Sequence, residues 1–207
     1  MIEAYAAIAL VVGWGFVLRT IGSAEVYLVL GPYAFACAVA SLALRGRLAH
    51  TSQHKREPRW LRNVLLGVAL GVVMTVGTYV AYDVTESFIP SLRSHVTELY
   101  SAAHVELATV AIAWTVVAIF AEELLFRGLL FEGLRSAGLS RFAAAGLAVV
   151  AYFLVQIGSG SVVIALAALV CGVCWTVERI FTRSLTAPIV SHLIWTIVVI
   201  HLHPVVR

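Results

Sequence analysis

Seven apolar runs divide the chain, and they limit its possible folds more than any other feature. They extend from Tyr5 to Leu18, Val26 to Leu44, Leu61 to Tyr82, Leu107 to Phe131, Phe142 to Ile157, Val162 to Val177 and Leu185 to Leu202. About 20 apolar residues in a helix cross the hydrocarbon core of a bilayer. The expected fold is therefore all-α, a polytopic membrane helix bundle with about seven transmembrane helices. The composition agrees: 61% of the residues are hydrophobic, 12% are charged and the mean hydropathy is +0.97, too apolar for a soluble domain that must cover itself with water. Residues 1–106 hold the amino-terminal helices, a basic loop and a mixed connector, and residues 107–207 hold the helices that carry buried polar residues.

The net charge of +3 does not indicate nucleic acid as a partner, because the basic residues gather in short segments between apolar runs. Lipid is the expected surrounding. The interruption "RGRLAHTSQHKREPRWLR", Arg45 to Arg62, carries six Lys or Arg and is cytoplasmic under the positive-inside rule. By alternation Arg135, Arg141, Arg179 and Arg183 then also face the cytoplasm, while Arg19, Arg93 and Arg207 do not. The expectation is an integral protein of the cell membrane with its amino terminus cytoplasmic. The first charge is Glu3 and the first arginine follows the first run, so that run is expected to be retained as a helix rather than cleaved as a signal.

Other features have plain structural readings. Cys37, Cys171 and Cys174 lie in apolar runs and do not suggest a disulfide framework. Between the third and fourth runs, Phe88, Leu92, Val96 and Leu99 recur at near-helical spacing, which predicts an interfacial amphipathic helix. Gly67 and Gly71 form a small-residue pair suited to a close helix contact.

The chemistry is concentrated in "AEELLFRGLL", Ala121 to Leu130, where two glutamates and an arginine interrupt an apolar run. A charge at the centre of a spanning helix costs at least about 2.5 kcal/mol, so such residues face a bundle interior or a watered cavity. Glu123 and Arg127 are four apart with the acid first, the favourable order for an ion pair. Glu122 lies about 100° round the helix with no comparable partner in its own helix, which suits a general base. The alternative is that all three form an ionic lock between helices. In "APIVSHLIWTIVV", Pro188 stands where a first helical turn tolerates it, and His192 and Thr196 share one face.

Together these residues resemble the CAAX-protease and bacteriocin-processing family (CPBP, or Abi) of intramembrane glutamic endopeptidases. Its motif E-E-x-x-x-R is met by Glu122, Glu123 and Arg127. Its motif H-x-x-x-N is met by His192, with Thr196 in place of asparagine. Its motif F-x-x-x-H aligns with Tyr152 to Gln156, with glutamine in place of histidine. The resemblance covers roughly Leu107 to His203, and it implies that residues 107–207 form a catalytic bundle cleaving a peptide or membrane-protein substrate. By the same resemblance Glu122 activates a water, Glu123 and Arg127 orient it, and His192 and Thr196 donate to the oxyanion. Gln156 would hold the water without exchanging a proton.

No cofactor is expected. A zinc ion bound by His192 and two glutamates is a secondary alternative, since there is no H-E-x-x-H pattern. His201 and His203, two apart, are expected to have no ligand role. Two other functions remain open at this stage: a catalytically weak member that binds a peptide or confers immunity to a bacteriocin, and a small proton-handling or transport bundle. Oligomeric state and prenylation of the substrate are not encoded in any recognisable pattern.

Overall fold

The computed structural model describes residues 2–20, 26–49, 59–103 and 108–206. Among these residues every regular element is helical: α1 (Ile2–Thr20), α2 (Val26–Ala49), α3 (Trp60–Phe88), α4 (Leu92–Ala103), α5 (Ala108–Glu122), α6 (Phe131–Ser136), α7 (Arg141–Ile157), α8 (Val162–Thr182) and α9 (Thr186–Thr196). A π-helical stretch, Glu123–Leu130, joins α5 to α6 without a break, and a second, Ile197–Leu202, continues α9. Five of the seven expected apolar runs each lie within one α-helix; the run from Leu107, itself outside the described residues, to Phe131 extends over α5, the π-helical stretch and the first residue of α6, and the run from Leu185 to Leu202 begins one residue before α9 and continues through the second π-helical stretch.

Among the described residues three helices are long and apolar enough to cross a membrane: Trp60–Phe88, Thr109–Ser136 and Val162–Thr182. Gly31–Leu44, Arg141–Ile157 and Thr186–Leu202 are shorter apolar helices. The chain is an integral membrane helix bundle. α3 displays the reason most clearly, because Leu65, Val73, Val76 and Val80 are all more than half exposed along it. A helix that is apolar on every face is stable only with lipid or protein around it.

The ends of the elements depart from the expected runs. α2 continues to Ala49 and α3 begins at Trp60, so the basic interruption is shorter than Arg45 to Arg62, and residues 50–58 lie outside the described residues. Phe88 does not share a helix with Leu92, Val96 and Leu99. It ends α3, and Pro90 separates the two, having no N–H to continue a ladder and restricting the residue before it. α4 buries Val96 and leaves Phe88 exposed outside it. α8 runs five residues past the apolar run ending at Val177, which brings Glu178 and Arg179 into the bundle.

Local chemistry fixes several boundaries. The Ser140 side chain caps α7 by accepting from the Ala143 N–H, and Ser161 caps α8 by accepting from the Ile164 N–H. Pro188 sits in the first turn of α9, as its missing N–H allows.

The bundle brings the carboxy-terminal helices against the amino-terminal ones: α3 packs along α9, α2 along α5, and α1 against α7 and the π-helical stretch. The core includes Trp14, Leu125, Phe126, Leu129, Tyr152 and Trp175. Gly67 and Gly71 allow α3 to approach α9 closely. A Cβ at Gly67 would meet the Ala187 carbonyl oxygen at 2.6 Å and the Val190 Cβ at 2.8 Å, whereas one at Gly77 would meet nothing within 4 Å.

Overpacking of this kind costs about 1–3 kcal/mol. Gly67→Leu should therefore lower the unfolding temperature of detergent-solubilised protein, while Gly77→Leu leaves it unchanged or higher. Equal behaviour of the two variants would contradict the close α3–α9 approach.

Candidate active site

The charged residues sit where α5 passes into the π-helical stretch. Glu122 is the last residue of α5 and Glu123 the first of the stretch, which is buried along its whole length. Single π turns inside α-helices are rare and recur at functional sites. The two adjacent carboxylates point into different surroundings.

Glu123 is fully buried and accepts from two groups on one oxygen: Arg127 Nη1 at 3.1 Å and His192 Nδ1 at 3.0 Å, so the histidine carries its proton on Nδ1. The Arg127 guanidinium, 1% exposed, also donates through Nε to the Thr176 hydroxyl at 3.3 Å and through Nη2 to the Gly172 carbonyl at 3.1 Å. Its cationic face lies 4.5 Å from the Tyr152 ring centroid and 5.4 Å from that of Trp175. Every part of the arginine thus meets a partner. Removing one member of a buried pair of this kind costs about 3–5 kcal/mol, because the other charge is left without compensation.

Glu122 is partnered from a different helix. Tyr152 Oη donates to its Oε2 at 2.7 Å and Gln156 Nε2 donates to its Oε1 at 3.1 Å. Tyr152 and Gln156 are one turn apart on α7 and so share a face. The second ring nitrogen of His192, Nε2, lies 3.9 Å from Glu122 Oε2, so the imidazole stands between the two carboxylates. It is stacked on the Trp175 indole with ring centroids 3.5 Å apart and an interplanar angle of 19°. Trp195 lies edge-on to Trp175 and is itself held by a 2.8 Å bond from its Nε1 to the Thr78 hydroxyl of α3.

A cavity of about 210 Å³ opens on this group. Glu122, Tyr152, His192 and Thr196 contribute its polar wall, and Trp114, Ala118, Ile119 and Trp195 much of its apolar wall. The Thr196 hydroxyl oxygen is buried and has no protein partner. Thr115, a further lining residue, hydrogen-bonds with His201 Nε2 at 2.9 Å, which gives that histidine a place in the bundle. Glu123 and Arg127 do not line the cavity; they lie behind it and reach it through His192.

The structure thus gathers all six residues singled out in the sequence. Glu122, His192 and Thr196 lie on the cavity, Gln156 binds Glu122, and Glu123 and Arg127 form the layer beneath. Among the described residues no group of three His, Cys, Asp or Glu side chains that could hold a metal ion is found. His192 Nδ1 and the Glu123 oxygen it faces are already engaged with each other and with Arg127.

Two contributors escaped the sequence reading. The Tyr152 hydroxyl was visible only as the first position of an aligned motif, although its spacing of four from Gln156 places both on one face. Glu178 is 4% exposed and accepts from the Ser191 hydroxyl at 2.8 Å, next to His192 in sequence. Its signal was an acid one residue beyond the apolar run.

Residues 104–198 match the family model described as type II CAAX prenyl endopeptidase Rce1-like. No curated protein and no solved structure matches the chain.

Proposed function

We propose that this chain is a member of the CAAX-protease family, as the match of residues 104–198 to the Rce1-like family model supports, and that it is an intramembrane endopeptidase in which Glu122 activates the hydrolytic water. The single observation that carries the reading is a carboxylate on a cavity, hydrogen-bonded by Tyr152 and Gln156 and faced by an imidazole nitrogen 3.9 Å away. Water bound beside Glu122 Oε2 gives up a proton to the carboxylate as its oxygen attacks a carbonyl carbon. The negative charge that develops on the carbonyl oxygen requires fixed donors. The Thr196 hydroxyl, without a protein partner, is one candidate. His192 faces the site with Nε2 and, when protonated there, is the other.

Glu123 and Arg127 serve as positioning groups. They fix the His192 ring from its Nδ1 side, so that Nε2 is directed toward Glu122. Preorganisation of this kind contributes because the donors need no reorientation during reaction. The apolar wall from Trp114, Trp195 and Ile119 suits an apolar segment of a peptide or membrane-protein substrate. The prenylated carboxy-terminal peptide denoted by the family's name is the substrate class to try first.

The second reading, a catalytically weak member that binds a peptide, is favoured by one observation. Gln156 stands where an acid–base histidine is usual in the family, and an amide cannot exchange a proton at physiological pH. Loss of a positioned acid–base group typically costs 10²- to 10⁴-fold in rate.

On this reading the protein lies in the cell membrane with its amino terminus and the basic interruption Arg45 to Arg62 in the cytoplasm, as the positive-inside rule supports. A reporter fused in that segment should read as cytoplasmic, and an external reading overturns the orientation. For the chemistry, purified protein should cleave a peptide substrate, Glu122→Gln should abolish cleavage and Gln156→His should preserve or raise it. Cleavage by Glu122→Gln at the parental rate would rule out the glutamate mechanism, and saturable binding of the peptide without cleavage would favour the second reading.

A further inference from the structure

Hydrolysis of an amide requires a proton on the leaving nitrogen as the C–N bond breaks, and Gln156 has none to give. Among the described residues, the one hydroxyl bonded to Glu122 is that of Tyr152, at 2.7 Å. This phenol borders the cavity, and its ring is held on several sides. It is 4% exposed, meets Phe126 edge-on with centroids 5.0 Å apart, lies beneath the Arg127 guanidinium and packs against Gly172, where a Cβ would come within 3.0 Å of the ring. The hydroxyl is therefore fixed between the carboxylate and the cavity.

On the reading given above, we propose that Tyr152 carries the proton from Glu122 to the leaving amine. Glu122 first takes one proton from water, and the remaining hydroxide bonds to the carbonyl carbon. As the tetrahedral species collapses, the C–N bonding pair goes to nitrogen. Tyr152 gives its hydroxyl proton to that nitrogen and receives the proton held by Glu122. The products are a carboxylic acid and an amine, and both side chains return to their starting states. Tyr152 thus supplies the acid that Gln156 cannot.

A relay of this kind makes the Tyr152 contribution depend on the leaving group, whereas a merely structural or orienting role does not. The experiment uses the full chain in detergent with two substrates of the same acyl portion, a peptide amide and its 4-nitrophenyl ester. The nitrophenolate leaves without a proton. Tyr152→Phe should lower kcat for the amide by about 10²- to 10³-fold with KM within about twofold. It should lower ester cleavage by less than tenfold. Tyr152→Phe combined with Gln156→His should recover amide cleavage to within about tenfold of the parent, because position 156 already reaches Glu122.

Equal losses on amide and ester, no loss on the amide, or absence of recovery in the double variant would each overturn the relay. Glu122→Gln measured alongside separates the two levels of the account. If Glu122→Gln cleaves as the parent does, the glutamate mechanism fails and the relay with it. If Glu122→Gln is inactive while Tyr152→Phe cleaves the amide normally, the relay alone fails.

Discussion

Desolvation of the Glu123–Arg127 ion pair is the constraint around which the bundle is organised. Both side chains are almost wholly buried, and the Coulombic attraction of a single contact does not by itself repay the loss of hydration of two ions. The other donors of Arg127 need acceptors and Glu123 Oε1 takes a second donor, while Glu123 Oε2 has no hydrogen-bond partner; the further partners of the pair come from three other helices. α8 offers the Gly172 carbonyl and the Thr176 hydroxyl, α9 offers His192, and α7 and α8 offer aromatic faces. Satisfying one ion pair therefore fixes the relative positions of α5, α7, α8 and α9, and with them the walls of the cavity. A second buried arginine reinforces the same junction: Arg179 donates to the Arg127 backbone carbonyl and pairs with Glu132.

The π-helical stretch belongs to this arrangement. It begins at Glu123, contains Arg127, and ends at Leu130 where regular α-helix resumes. Glu122 faces the cavity and α7, while its neighbour faces Arg127 and His192. The division of labour between adjacent carboxylates is thus a matter of helical phase. One is held by its own helix and α9, and the other is left to two donors from α7 that are four residues apart.

Much of this was legible in the sequence for definite reasons. Apolar runs near bilayer length map onto helices because length and composition determine the element, and the four-residue spacing of Glu123 and Arg127 maps onto an ion pair because the geometry of a single helix determines it. What depends on contacts between helices was not legible. The bond between Tyr152 and Glu122 joins residues 30 apart in sequence, and the stacking of His192 on Trp175 depends on how α9 leans on α8. The π-helical turn has no distinct hydrophobic period, and α8 extends through Glu178 beyond its last apolar run, where composition no longer marks the helix.

The central claim is that the Glu122 carboxylate, inside a membrane-embedded bundle, faces a pocket that admits water. Its most direct measurement is chemical labelling of cysteines on two faces of α5, in a chain whose Cys37, Cys171 and Cys174 have been replaced. Ala118 lines the cavity, and Phe120, two residues on, is 40% exposed on the outer surface of the bundle. In proteoliposomes a charged, water-soluble thiol reagent should modify Ala118→Cys and leave Phe120→Cys unmodified. Modification of Phe120→Cys with Ala118→Cys inert would place water on the wrong side of the helix and contradict the account.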